Sequence, residues 1–124
     1  MREIKFRAWD NINNRWLDLW QFMFTSYGEL MSVRDLGGEQ YGIHQVSLSQ
    51  STGLKDGKGV DIYEGDVVSD GQVTYAVEFK DGEFYLKNLS RGMNLRMHSV
   101  SNVLFSPEVI DNIYDNPEIL EDYK

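Results

Sequence analysis

Apolar and polar positions alternate with the two-residue period of β-strands along much of the first fifty residues. Residues 4–8 show this alternation clearly and residues 30–36 show it more weakly, with the turn-forming stretch 10–14 after the first strand. In residues 15–24 the apolar side chains occupy both parities. That pattern indicates either a strand covered on both faces or a β-bulge that shifts the register. The N-terminal part of the chain therefore predicts antiparallel strands.

The most regular alternation lies at residues 73–79, where the apolar side chains fall on one face. Asp81 and Gly82 follow, and this dipeptide is typical of a two-residue β-hairpin turn. The apolar face continues at 84–86 on the return strand. Shorter strands are predicted at 67–68, 95–97 and 103–105. The turn at 64–66 that leads into a strand, followed by the long hairpin, favours a small SH3-like barrel.

The C-terminal stretch has the signals of helix starts. Residues 106–108 and 116–118 each place Ser or Asn before a Pro and a Glu, the arrangement of an N-cap, a first helical position and an acid in the first turn. We expect Ile119 and Leu120 to pack a short helix onto the barrel.

These patterns together predict a mainly β fold in one domain. N-terminal antiparallel strands in residues 1–50 pack on an SH3-like β-barrel in residues 51–105, and residues 106–124 form a short, acidic helical tail. Four glycines between positions 53 and 65 indicate a turn-rich loop at the start of the barrel, because glycine adopts positive φ at low cost.

Charge is distributed unevenly along the chain. The 12 basic and 20 acidic residues among 124 give a formal net charge of −8, which argues against binding duplex nucleic acid through a broad basic face. Residues 106–124 hold one base and six acids, whereas residues 84–105 hold three bases and no acid. The net charge therefore conceals a basic segment.

Composition also excludes some chemistry. The absence of cysteine rules out disulfides, thiolate metal sites and a cysteine nucleophile. Charges interrupt the N-terminus, and the apolar stretch 16–24 is too short and too polar to cross a bilayer. We expect a cytoplasmic protein that binds no membrane and no cofactor.

The glycine-rich segment 53–59 superficially suggests a phosphate-binding loop. The Walker pattern needs four residues between its glycines and Ser or Thr after the Lys, whereas three residues separate Gly53 from Gly57 and Gly59 follows Lys58. We interpret the segment as a structural loop.

Four acids in the same region suggest a site for a hard cation: Asp56, Asp61, Glu64 and Asp66. An EF-hand loop beginning at Asp56 would place Lys58 and Val60 at ligand positions and Asp61 where glycine is needed. We favour acids that cap turns, and we expect no metal site.

Nucleophilic and acid–base chemistry has little support. The two histidines are His44 and His98, and neither a His-Glu-x-x-His nor a Gly-x-Ser-x-Gly motif is present. A triad assembled in space stays open as an alternative. We expect no catalytic residues and regard an uncharacterised enzyme as the third hypothesis.

Three groups of residues are candidate interaction surfaces. Trp16 and Trp20 are four positions apart and are predicted to share one strand face, where an exposed Trp favours an interface. The segment 84–105 interleaves aromatic and basic residues, as single-strand nucleic-acid binders do. Its basic members are Lys87, Arg91 and Arg96. The acidic stretch 108–122 has an alternative reading as a mimic of a nucleic-acid backbone, although blocks of like charge are usually solvated.

Three stretches resemble the YopX family of phage and prophage proteins. They are residues 1–10 (MREIKFRAWD), residues 52–56 (TGLKD) with 62–68 (IYEGDVV), and residues 109–120 (VIDNIYDNPEIL). Ser51 and Asp111 depart from the pattern, which tends to have Tyr and Gly there. The resemblance implies a phage or prophage origin and a mostly β fold, and it supplies no chemistry. The central motif residues read as turn geometry and packing: Thr52, Gly53, Leu54, Asp56, Ile62, Tyr63, Glu64, Gly65 and Asp66.

The sequence thus favours a phage-encoded accessory protein in a bacterial cytoplasm, acting by binding an unidentified host or phage protein or by self-association. The alternative is a nucleic-acid-associated protein that uses the 84–105 face.

Overall fold

Strands make up most of the computed structural model, which describes residues 5–92, 94–96 and 107–119. In chain order they are β1 (Phe6–Asp10), β2 (Arg15–Trp16), β3 (Leu19–Phe24), β4 (Leu30–Asp35), β5 (Gln40–Gly42), β6 (Val46–Lys55), β7 (Asp61–Tyr63), β8 (Asp66–Ser69), β9 (Thr74–Lys80), β10 (Glu83–Asn88), β11 (Asn94–Arg96) and β12 (Glu108–Asn112). One turn of 3₁₀ helix, Ile43–Gln45, precedes β6. The predicted mainly β fold is confirmed.

The chain divides into two compact units. One contains Phe6–Ser49, and the other contains Lys5 with the described residues from Gln50 onward. In the first unit, β3, β4 and β5 form an antiparallel sheet in that order, while β1 lies between β2 and the start of β6. The buried core of this unit consists of Ala8, Leu17, Val33, Tyr41 and Val46.

The prediction of one strand over residues 15–24 is wrong. Strands β2 and β3 belong to different sheets, and the buried Leu17 lies between them. Trp16 and Trp20 therefore do not share a strand face. The alternative of a β-bulge is confirmed, because Leu19 pairs with Asp35 while Gln21 pairs with Arg34, which leaves Trp20 as the extra residue.

In the second unit the described strands form a five-stranded antiparallel sheet in the order β11-β10-β9-β8-β12. The predicted hairpin joins β9 to β10, and the positive φ values of Asp81 (52°) and Gly82 (80°) give the turn its type I′ geometry. One face of this sheet carries the buried core residues Val68, Tyr75, Val77 and Leu86, and Ile62 of β7 packs in the same cluster.

The predicted turn-rich loop is shorter than its glycines suggested. Strand β6 continues to Lys55, and Gly53 (φ +84°) lies within the register shift between Ser51 and Lys55. A glycine in a strand interior often marks such an irregularity. The turn is confined to residues 56–60, and β7 begins at once.

The predicted helix start at residues 106–108 is also wrong. Glu108 begins β12, which pairs antiparallel with β8, so the non-local ladder overrides the local N-cap signal. The described residues end at Ile119, just after the second predicted helix start at 116–118. Leu120 therefore lies outside the described residues. The strand predicted at 103–105 lies outside them as well. None of the described residues belongs to a helix long and apolar enough to cross a membrane.

Candidate interaction surface

The Thr-Gly-Leu-Lys-Asp motif ends in a carboxylate that organises the backbone around it. Asp56 Oδ1 accepts from the N–H groups of Lys58 (2.8 Å) and Val60 (2.9 Å), and Oδ2 accepts from the N–H of Val109 in β12 (3.0 Å). Burial acts to raise the pKa of Asp56, but the three backbone N–H groups hold it below its usual range. Thr52 lies buried upstream, and Leu54 packs on the core that contains Ile62.

The Glu64–Asp66 turn lies against the same C-terminal stretch that contains Val109, residues 107–116, which we call the closing segment. Gly65 N–H donates to the carbonyl of Val77 (2.8 Å), and the Gly65 carbonyl accepts from Ile113 N–H (2.8 Å). Gly65 has φ +88°, and a Cβ there would lie 2.5 Å from Cε2 of Tyr114. Asp66 Oδ2 accepts from Tyr63 N–H (2.8 Å) and closes the turn.

Both parts of the central motif are thus joined to residues 107–114. The joining contacts come from Asp56 at one end and Gly65 at the other, each more than 45 positions from its partner. Local sequence patterns carry no signal for such contacts. These residues organise the fold, and no described contact gives them a chemical role.

The four acids considered for a cation do not converge. Asp56 and Asp66 accept backbone N–H groups, while Asp61 is paired with Lys55 (2.7 Å) and Lys5 (3.3 Å). Lys55 and then Lys5 hold the pKa of Asp61 below its usual range. Among the described residues, no group of three metal-binding side chains is arranged to hold an ion.

The segment 53–59 lacks the context of a phosphate loop, since β7 follows it where a helix N-terminus would be required. Lys58, which would reach a phosphate, lies 3.6 Å from the Glu108 carboxylate.

The one histidine within the described ranges, His44, is exposed in the 3₁₀ helix. It makes no hydrogen bond to a described carboxylate. His98 lies outside the described residues.

The basic segment acquires acidic neighbours in the folded sheet. Glu78 lies opposite Tyr85, whose hydroxyl donates to Glu83 (2.9 Å), and Lys87 lies opposite Ala76. Phe84 is on the opposite face, 4.7 Å from Phe79 between ring centroids. Arg91 is exposed in the turn after β10, and Arg96 pairs with Tyr85 in the register. The face is therefore of mixed charge.

The acids of the closing segment are partly engaged with their own neighbours. Asp111 Oδ2 accepts from Asn116 Nδ2 (3.0 Å), and Asp115 Oδ2 accepts from Asn112 Nδ2 (2.8 Å). Positions 120–122 of the predicted acidic tail lie outside the described residues.

Trp16 takes part in a stack within the first unit. Its ring meets Trp9 edge-on at a centroid distance of 5.0 Å, and the Arg7 guanidinium lies 4.1 Å from the Trp16 ring centroid. Trp9 is buried and Trp16 is half-buried. Trp16 thus stabilises the β1–β2 pair more than it offers a surface.

Trp20 has the opposite environment, because the bulge in β3 directs it outward and leaves 64% of it exposed. A second bulge makes Met31 the extra residue of β4, and 52% of Met31 is exposed. Both bulges also keep core residues inside despite an odd spacing. Leu19 and Phe22 face the core from β3, as do Leu30 and Val33 from β4.

The β3–β4 hairpin consequently presents large apolar side chains to solvent. We call Trp20, Met23, Phe24, Tyr27 and Met31 the hairpin surface. Phe24 stacks on Phe22 at 6.1 Å between centroids, and Phe22 packs on Phe6 at 5.7 Å, so the exposed ring is supported by the core. Of these five residues, the sequence pattern singled out Trp20; the others were missed, because alternation does not reveal where a bulge occurs.

Comparison with known proteins gives a consistent result. A family model described as YopX protein matches residues 5–121. The crystal structure of protein EF1440 from Enterococcus faecalis is similar at 26% identity and a TM-score of 0.75, covering 97% of this chain and 99% of that chain. The crystal structure of protein yopX from Bacillus subtilis has 22% identity and a TM-score of 0.62, covering 95% and 98%, and this likeness shows the fold alone. No curated protein matches the chain.

Proposed function

The chain belongs to the YopX protein family, and from that premise we propose that it is a non-enzymatic accessory protein of phage or prophage origin. It acts in the cytoplasm of a bacterial host by binding another protein through the hairpin surface. The similar structure of protein EF1440 comes from the bacterium Enterococcus faecalis, which supports a bacterial setting. The antiparallel order β11-β10-β9-β8 within residues 51–105 supports our assignment of an SH3-like barrel to that part of the chain.

The observation that carries the proposal is the exposure of Trp20 at a β-bulge. Bulges that redirect a side chain are concentrated at functional positions, and a Trp that is left in water forgoes a large burial energy. Trp, Tyr and Met are enriched in protein interfaces, and Trp is a frequent hot-spot residue. The sequence from Leu19 to Gly28 has no charged residue, so charges do not interrupt the apolar side chains of this segment.

The test is affinity capture from a bacterial host lysate with the tagged protein and two variants. Trp20→Ser removes the exposed indole at the bulge of β3. Ile110→Ser is the matched control, because Ile110 is the extra residue of a bulge in β12 and is 56% exposed. We expect a protein that is retained by the wild type and by Ile110→Ser and is lost with Trp20→Ser.

Sedimentation of the purified protein tests self-association in the same way. A dimer that dissociates on Trp20→Ser and persists in Ile110→Ser would identify the partner as a second copy. Equal capture by all three proteins, together with an unchanged monomer, would overturn the proposal.

A further inference from the structure

Arg34 lies at the centre of the outer face of the β3-β4-β5 sheet. In the register it is opposite Gln21 on one side and Gln40 on the other. These side chains line a shallow concavity together with Met23 and Ser32. Residues directly opposite each other share a face, so the guanidinium is placed among amides and a thioether.

Arg34 is half-buried as a residue, and its guanidinium has no hydrogen bond or ion pair within the described part of the chain. The absence of a carboxylate partner among the described residues is notable in a protein with 20 acidic residues. The neighbouring Gln40 donates to Ser32 Oγ (3.1 Å), which fixes that amide beside the guanidinium. The concavity therefore holds hydrogen-bond donors and an unmet positive charge.

We propose that Arg34 receives an Asp or Glu carboxylate of the partner protein, with an adjacent apolar side chain of the partner packing on Met23. The inference rests on the proposed function and names the chemistry recognised beside the hairpin surface. A guanidinium binds a carboxylate through two parallel hydrogen bonds, and the amides of Gln21 and Gln40 supply further donors.

Charge favours a single carboxylate over a nucleic acid. Residues 18–36 contain one basic and three acidic residues (Arg34 against Asp18, Glu29 and Asp35). A phosphodiester chain requires several cations along its path, whereas one carboxylate requires one. The bulges in β3 and β4 make a poor template for adding a strand, so side chains carry the recognition.

Nuclear magnetic resonance of the Arg34 Nε–H group and the Gln21 and Gln40 amides tests the proposal. The probes are acetyl-Leu-Glu-Leu-amide, its Gln analogue and an oligothymidylate. We expect the Glu peptide to shift these resonances and to bind about tenfold more tightly than the Gln peptide, since a charged hydrogen-bond partner contributes roughly that factor. Arg34→Gln should remove the difference, and Arg34→Lys should retain part of it. Arg91→Gln, at an exposed Arg of the other unit, is the control.

Equal binding of the two peptides, or an unchanged preference in Arg34→Gln, would overturn the inference. Tighter binding of the oligothymidylate would overturn it in favour of nucleic acid. The capture experiment tests the proposed function separately from this inference. If Trp20→Ser abolishes capture and Arg34→Gln does not, binding through the hairpin surface is supported, and recognition of a partner carboxylate by Arg34 is contradicted.

Discussion

A Cβ atom at position 65 would lie 2.5 Å from Cε2 of Tyr114, and the backbone of Gly65 has φ +88°. Two independent constraints thus require glycine in the central motif. The turn that launches β8 needs left-handed backbone, and the closing segment packs directly against it.

Gly65→Ala should therefore destabilise the protein by about 3 kcal/mol, since it combines backbone strain with a steric clash. Gly59→Ala is the matched control, because Gly59 has φ +83° and open space around it, and it should cost about 1 kcal/mol. Urea unfolding of the two variants measures the difference. Equal losses of unfolding free energy in the two variants would show that the Tyr114 ring does not require glycine at position 65.

Asp56→Asn should lower the free energy of unfolding by about 2 kcal/mol at neutral pH, because an amide oxygen cannot replace two carboxylate oxygens that accept three N–H groups. The lowered pKa of Asp56 makes its contribution present above the pKa of the unfolded state and lost as pH falls through the folded-state pKa. Unfolding curves from neutral to acid pH should show a weaker pH dependence in the variant. A pH profile parallel to that of the wild type would contradict this, and Asp18→Asn, at an exposed acid, serves as the control.

The buried residue Tyr41 should make the stability of the protein fall at alkaline pH. Its hydroxyl donates to Asp35 (2.9 Å), with Glu39 at 3.2 Å, and accepts from Arg15 Nη2 (3.1 Å). Burial, followed by the two carboxylates, raises the pKa of Tyr41 to about 12. Its contribution to stability is complete below the unfolded-state pKa of about 10 and is lost as pH rises towards 12. Tyrosinate absorbance should show a late-titrating group that is absent from Tyr41→Phe.

Trp20→Ser should change stability by less than about 0.5 kcal/mol, since the side chain is mostly in solvent. Trp9→Ala removes a buried ring and should cost about 3–5 kcal/mol. Denaturant unfolding separates the two. A large loss of stability in Trp20→Ser would mean that the Trp20 ring supports the fold. Loss of partner binding by this variant would then no longer identify the hairpin surface as the binding site.

Local signals along the chain predicted local structure well. The alternation at 73–79 and the Asp81–Gly82 dipeptide specify a hairpin, because turn type and pleat depend on a few neighbouring residues. The strand at Leu30–Asp35 follows from the same period. The N-cap pattern at 106–108 misled for the complementary reason: pairing with β8 supplies hydrogen bonds that a short helix cannot match.

The sequence by itself determined the mainly β class, the principal hairpin, the family motifs and Trp20 as a candidate. Tertiary structure alone decided that the central motif meets residues 107–114 and that bulges expose Met31. It also decided that Arg34 lies between two amides, with no carboxylate paired to it in the part of the chain that the structure describes. The reason is physical: turns and strand period are set over a few residues, whereas register, bulges and charge neighbours depend on which distant strands pair.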